Sequence, residues 1–112
     1  MAVIQRTVTI PAGEVNDNIL SGSAFEFIRG RSIVSMGITA VDASDIFVVI
    51  QAGPNVIAEE FNPVQSSDYP STDTSFYYNA GAVQGDRLVV RVRNADAVTD
   101  ETVRIVVQVT EV

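Results

Sequence analysis

Apolar and polar residues alternate through most of this chain, most regularly near its end. In residues 87–94, Leu88, Val90 and Val92 alternate with Arg87, Val89, Arg91 and Arg93. In residues 102–112, Val103, Ile105, Val107 and Val109 alternate with Arg104, Val106, Gln108 and Thr110. Strand side chains point to opposite faces with period two, so each run has one apolar face and one mostly wettable face. β-branched residues dominate both runs, which disfavours helix. The pattern predicts two half-buried antiparallel strands whose shared outer face carries Arg87, Arg91, Arg93 and Arg104.

The remaining segments follow the same logic. Residues 2–10 read as a strand with Ile4, Val8 and Ile10 on one face, interrupted by Arg6. An unpaired buried charge is costly, so Arg6 is expected at a sheet edge or beside a carboxylate. Pro11, Ala12 and Gly13 end this strand, because Pro cannot donate to a ladder and Gly permits a tight turn. Residues 15–23 carry turn chemistry at Asn16, Asp17 and Asn18 before Ile19 and Leu20. Residues 24–29 predict a short strand with Phe25 and Phe27 on its core face, followed by a turn at Arg29, Gly30 and Arg31.

Residues 32–40 resume as a strand with Val34, Met36, Ile38 and Ala40 on one side, and Gly37 suggests a bulge or a close neighbour. Residues 46–52 are apolar on both faces. Either this strand is covered on both sides, or its outer residues, Phe47 and Val49, meet another subunit. Gly53, Pro54 and Asn55 predict a hairpin into residues 56–61, where adjacent Glu59 and Glu60 would point to opposite faces. The longest irregular stretch, residues 62–75, has the character of a binding loop, with Asp68, Tyr69 and Asp73. Tyr77 follows in a short aromatic strand, 76–79, before a small-residue turn at Ala80, Gly81 and Ala82.

A chain of 112 residues with 46% apolar content makes one domain, residues 1–112, with enough core to fold without staples. About eight short strands separated by turns predict an all-β antiparallel sandwich. A single jelly roll fits best, with an immunoglobulin-like Greek-key sandwich as the alternative. The hairpin at Gly53 and pairing of first with last strand suit the jelly roll; a direct hairpin at residues 29–31 would not. The expected core comprises Ile4, Val8, Phe25, Phe27, Val34, Met36, Ile38, Val48, Leu88, Val90, Val92, Val103, Ile105 and Val107.

Absent residue types narrow the chemistry. The chain has no Cys, His, Trp or Lys, and its seven basic residues are all Arg. Thiol catalysis, imidazole acid–base chemistry, Cys/His zinc sites, Lys Schiff bases and disulfides are therefore excluded. Paired-carboxylate hydrolysis would need acids from different strands facing one cleft, which no pattern indicates. The reading is a non-enzyme with no cofactor. The net charge of −7 opposes direct contact with nucleic acid. No apolar run is long enough for a membrane span, and the first residues read as strand rather than a signal peptide.

Carboxylates gather in loops as Asp42 with Asp45, Asp68 with Asp73, and Asp96, Asp100 and Glu101. Calcium wants six to eight oxygens, and none of these groups has the spacing of a known calcium loop. They read as solvated turn carboxylates. Tyr69, Tyr77, Tyr78 and Phe76 offer a stacking platform for a glycan, although the Trp typical of such sites is missing.

Gly85, Asp86, Arg87 and Leu88 entering an alternating strand resemble the turn and strand of trimeric jelly rolls such as the tumour necrosis factor family. More broadly, the opening Met-Ala-Val-Ile-Gln-Arg-Thr-Val-Thr-Ile-Pro-Ala strand, the acidic composition rich in Ala, Val, Thr, Ser and Gly, and the lack of Cys and His resemble small bacteriophage virion proteins of capsid or decoration type. That resemblance implies a self-associating capsid or cement subunit on the virion surface. Its partners would be copies of itself, as a trimer or larger symmetric assembly, and other virion proteins. The rival expectation is a carbohydrate- or receptor-binding sandwich using the 62–75 loop.

Overall fold

The strand patterns of the sequence condense into two sheets. The computed structural model describes residues 2–70 and 77–112. Among them are nine strands: β1 (Ala2–Ile10), β2 (Val15–Asn16), β3 (Ser32–Ala40), β4 (Ile46–Ala52), β5 (Asn55–Phe61), β6 (Val64–Gln65), β7 (Tyr77–Ala82), β8 (Leu88–Asn94) and β9 (Glu101–Glu111). One 3-10 turn, Ala43–Asp45, precedes β4. A five-stranded sheet runs β1-β9-β3-β6, with β7 also on β3, and a four-stranded sheet runs β2-β8-β4-β5. They pack as a sandwich, as the sequence pattern predicts.

The pairing is nested. β1 pairs with β9, β2 with β8, β3 with β7 and β4 with β5, all antiparallel. The ladders β3–β9 and β4–β8 join these pairs into sheets, and the two-residue β6 lies parallel to the end of β3. β2 and β3 fall in opposite sheets, so residues 29–31 are not a hairpin.

Alternation explains what is buried. Val34, Met36, Ile38 and Ala40 on β3 and Val103, Ile105 and Val107 on β9 face Val48 and Ile50 of β4 and Leu88, Val90 and Val92 of β8 in one core cluster. Ile4, Val8 and Phe25 are partly buried against it. Ile10 and Ile46 are buried in phase with their strands, and Ile19, Leu20 and Ile28, which the alternation alone does not single out, are also buried.

Three local expectations fail: the 24–29 strand, the 80–82 turn and the separation of Glu59 from Glu60. Phe27 is 56% exposed rather than core, because residues 24–29 hold only an isolated bridge, Phe27 to Arg87, instead of a strand. Residues 15–23 turn as their chemistry suggests, after the two-residue strand Val15–Asn16, and bury Ile19 and Leu20. Ala80, Gly81 and Ala82 continue β7 rather than turn, since their backbones pair with Val34, Ile33 and Ser32. Gly37 sits in unbroken register between Val106 and Tyr77, so of its two alternatives the bulge is excluded. The bulges lie instead in the β4–β5 pair, and there Glu59 and Glu60 are both exposed. Extra residues in β5 interrupt the alternation that would have separated them.

Candidate functional site

Three surfaces carry the chemistry-bearing side chains. The first is the outer face of the four-stranded sheet. Phe47, Val49 and Gln51 of β4 pair with Arg93, Arg91 and Val89 of β8. All three β4 residues are half-buried, between the fully buried Ile46, Val48, Ile50 and Ala52. Val15 flanks Arg93 and Val56 flanks Gln51, and both valines are exposed.

The Arg93 guanidinium lies 4.4 Å from the Phe47 ring centre, and its Nη2 donates to Glu60 Oε1 at 2.7 Å. Among the described residues, Arg91 has one ion-pair contact, with the exposed Asp17 at 3.9 Å. Arg87 donates through Nε to Glu26 at 2.9 Å. Arg93 and Arg87 are thus engaged within the chain, whereas Arg91 is largely uncommitted.

Arg104 does not join this face. β8 and β9 belong to different sheets, so the expected four-arginine patch divides. Period-two alternation orients a side chain about its own strand and says nothing of which strand lies beside it.

The second surface is the outer face of the five-stranded sheet, crossed by residues 66–69. The Ser66 amide donates to Ala40 O at 2.9 Å, and Thr39 Oγ1 donates to Asp68 O at 2.6 Å. Tyr69 shares a hydrogen bond with Thr7 at 2.7 Å and sets its ring 6.0 Å from Arg104. This segment therefore lies across β3, β9 and β1. Beneath it, Arg104 Nη1 is buried with no hydrogen-bond partner. Tyr69 remains 38% exposed, and Asp68 contributes its backbone carbonyl and amide. Asp73 lies outside the described residues, and Tyr77 is described only by its backbone, opposite Gly37.

The third surface is the end of the sandwich where β3 crosses to β4 and β8 to β9. Carboxylate oxygens of Asp42, Asp45 and Glu101 lie within 4.8 Å of one another. Glu101 shares the inward face of Val103, Ile105 and Val107 at the mouth of the core, which is why it is only 5% exposed. Burial, then the nearby carboxylates of Asp42, Asp96 and Asp45, push its pKa above the ordinary glutamate value. Asp96 is held below the ordinary aspartate value, first by the Val98 amide and next by that of Thr99.

Backbone bonds hold this end together. Val41 N donates to Thr102 O at 3.1 Å and Ala95 N to Asp45 O at 2.8 Å. Asn94, 1% exposed, donates through Nδ2 to Ile10 O and Thr99 O, each at 3.0 Å, and accepts from the Asp96 amide at 2.9 Å. The sequence places Glu101 beside Asp96 and Asp100 in a solvated link; the structure instead turns it inward, toward Asp42 and Asp45. Glu101 stands at the i−2 position of Val103, and that alternation was the one signal available for its burial.

No helix among the described residues is long and apolar enough to cross a membrane. Comparison with known protein families, with curated proteins and with solved structures finds no match to this chain.

Proposed function

We propose that this chain is a non-enzymatic structural subunit that self-associates, of the capsid or decoration type on a viral particle. The observation that carries self-association is the outer face of the four-stranded sheet. Phe47 and Val49 stand there beside Val89, Val56 and Val15, all at least partly open to solvent. A second copy of the chain is the occupant we favour, because the face offers both charges. Arg91 is 56% exposed with one loose contact, and exposed Glu59 has no hydrogen-bond or ionic partner among the described residues. A symmetric contact is self-complementary, so each Arg91 would meet an acid of the neighbour while the apolar residues supply burial.

The virion assignment rests on the compositional resemblance and on topology read as a jelly roll. With β6 set aside, eight strands pair first with last, second with seventh, third with sixth and fourth with fifth. A long antiparallel ribbon folded over into two sheets gives this nesting, the plan of a jelly roll. An immunoglobulin-like sandwich would pair its first strand with its second.

Sedimentation of the purified chain over a range of concentrations tests association. Val49→Lys is expected to leave the fold intact and reduce assembly at least tenfold. A strict monomer at high concentration overturns the reading. Recovery of the chain from purified particles by mass spectrometry tests the virion role, and a glycan array with no hit removes the rival binding reading.

A further inference from the structure

We propose that Asp42, Asp45 and Glu101 form a calcium site that joins the β3–β4 and β8–β9 crossovers. Three observations carry it. The three carboxylates come within 4.8 Å of one another through one oxygen each. Oxygens that share a calcium ion, each about 2.3–2.6 Å from it, lie at most about 5 Å apart, so the spacing suits a common cation.

The second observation is Glu101 itself. It is only 5% exposed and directed into the cluster, yet its carboxylate has no hydrogen-bond or ionic partner among the described residues. A carboxylate withdrawn this far from water normally takes a hydrogen-bond partner or coordinates a metal.

The third is the placement of positive charge. The ion pairs among the described residues place Arg87 on Glu26, Arg91 on Asp17 and Arg93 on Glu60. Arg6 donates to Ile19 O and Ser21 O, and Arg104 lies against Tyr69. Arg29 and Arg31 precede β3, whose length puts them about 30 Å from Asp42. The sequence contains no Lys or His. Among the described residues, no Arg forms an ion pair at the acidic end.

Ligand chemistry selects the ion. All three donors are carboxylate oxygens, which suit a hard cation and not zinc or copper. Asp42 Oδ1 already accepts from the Ser44 amide and hydroxyl, leaving its other oxygen free. Three carboxylates, some bidentate, with water completing the shell, meet the irregular six- to eight-fold coordination of calcium. Magnesium demands a near-ideal octahedron. The bound ion would tie one sheet to the other where both crossovers leave the sandwich.

The test uses the whole chain, stripped with chelator. Equilibrium dialysis against radioactive calcium is expected to show one ion per chain. Thermal unfolding in about 5 mM calcium is expected to rise by roughly 4–8 °C, as for a site of near-millimolar affinity. Asp45→Asn and Glu101→Gln are each expected to abolish binding and the rise. Asp45→Asn keeps the backbone bond to Ala95, so it decides the matter even if Glu101→Gln misfolds. No bound calcium, or an equal rise in Asp45→Asn from ionic screening, overturns the site. An equal rise with magnesium overturns the choice of calcium.

Discussion

The side chain of Asn18 takes the place of a neighbouring strand beside Val90. Val90 N donates to Asn18 Oδ1 at 3.1 Å, while Asn18 Nδ2 donates to Leu88 O at 3.0 Å. Oδ1 also accepts from the Leu20 amide at 3.0 Å, and Ile19 N donates to Val90 O at 2.9 Å. β2 ends at Asn16, and the backbone rejoins β8 where Leu88 N donates to Glu26 O. One buried amide thus continues a ladder that the short strand leaves unfinished.

Asn18→Ala would strand these backbone groups in a dry site. Each unsatisfied buried group costs about 1–3 kcal/mol, so an overall loss of roughly 2–4 kcal/mol is expected. Asn18→Asp keeps the acceptor but buries a charge and loses the donor to Leu88. It should also destabilise, and urea unfolding of both variants checks this. A loss below about 0.5 kcal/mol for Asn18→Ala would mean that water substitutes for the amide.

Gly53 closes the β4–β5 hairpin with φ of +56°. A Cβ there would stand 2.6 Å from Asp86 Oδ1 and 2.8 Å from its Cγ. Asp86 cannot swing away freely, because its other oxygen accepts from the Val83 amide at 3.0 Å. Gly53→Ala is expected to lower stability by about 1–3 kcal/mol, from left-handed strain and the clash together. A thermal melt of Gly53→Ala beside Gly53→Ala/Asp86→Ala separates the two, the double variant recovering only the clash.

Core and surface aromatic or aliphatic residues should part company on truncation. Ile105, 1% exposed, is expected to cost about 2–5 kcal/mol as Ile105→Ala. Phe27→Ala, at 56% exposure, is expected to cost under about 1 kcal/mol. Denaturant midpoints at equal slope check the contrast, and a large effect at Phe27 would mean that it packs more tightly than its exposure implies.

Arg93 joins Phe47 on one side and Glu60 on the other. Both contacts face solvent, so Arg93→Ala is expected to cost only about 0.5–1.5 kcal/mol, shrinking with added salt as the ionic part is screened. Arg93→Lys should lose most of the same amount, because a point charge cannot lie flat on the ring while reaching the carboxylate. Melts in low and high salt distinguish the screened and unscreened parts.

Acid should weaken the contact between residues 22–26 and β8. The Gly22 amide, and next the Arg87 guanidinium, hold the Glu26 carboxylate below its ordinary value of 4.5. A group whose folded pKa is lowered contributes stability above its unfolded pKa and loses it as pH falls through the folded one. Wild type is therefore expected to exceed Glu26→Gln in stability at neutral pH, with the gap closing on acidification below 4.5. Urea midpoints of both proteins across that range measure the gap; a constant difference would assign the loss to something other than charge.

The sequence alone determined the faces of the strands. Val34, Met36 and Ile38 on β3, and Leu88, Val90 and Val92 on β8, are buried where period-two geometry puts them. It also placed the β4–β5 hairpin, because Gly53, Pro54 and Asn55 are local turn chemistry. Only tertiary structure decided which strands became neighbours. Alternation is a property of one backbone, whereas pairing joins residues far apart in the chain and depends on how the whole ribbon folds over. That is why Arg104 parted from Arg91, and why Asn18, legible only as a turn residue, completes an edge on β8. The same long-range closure brings Glu101 to Asp42 and Asp45. Their sequence spacing suggests no shared site; crossovers meeting at one end of the sandwich make one cluster of them.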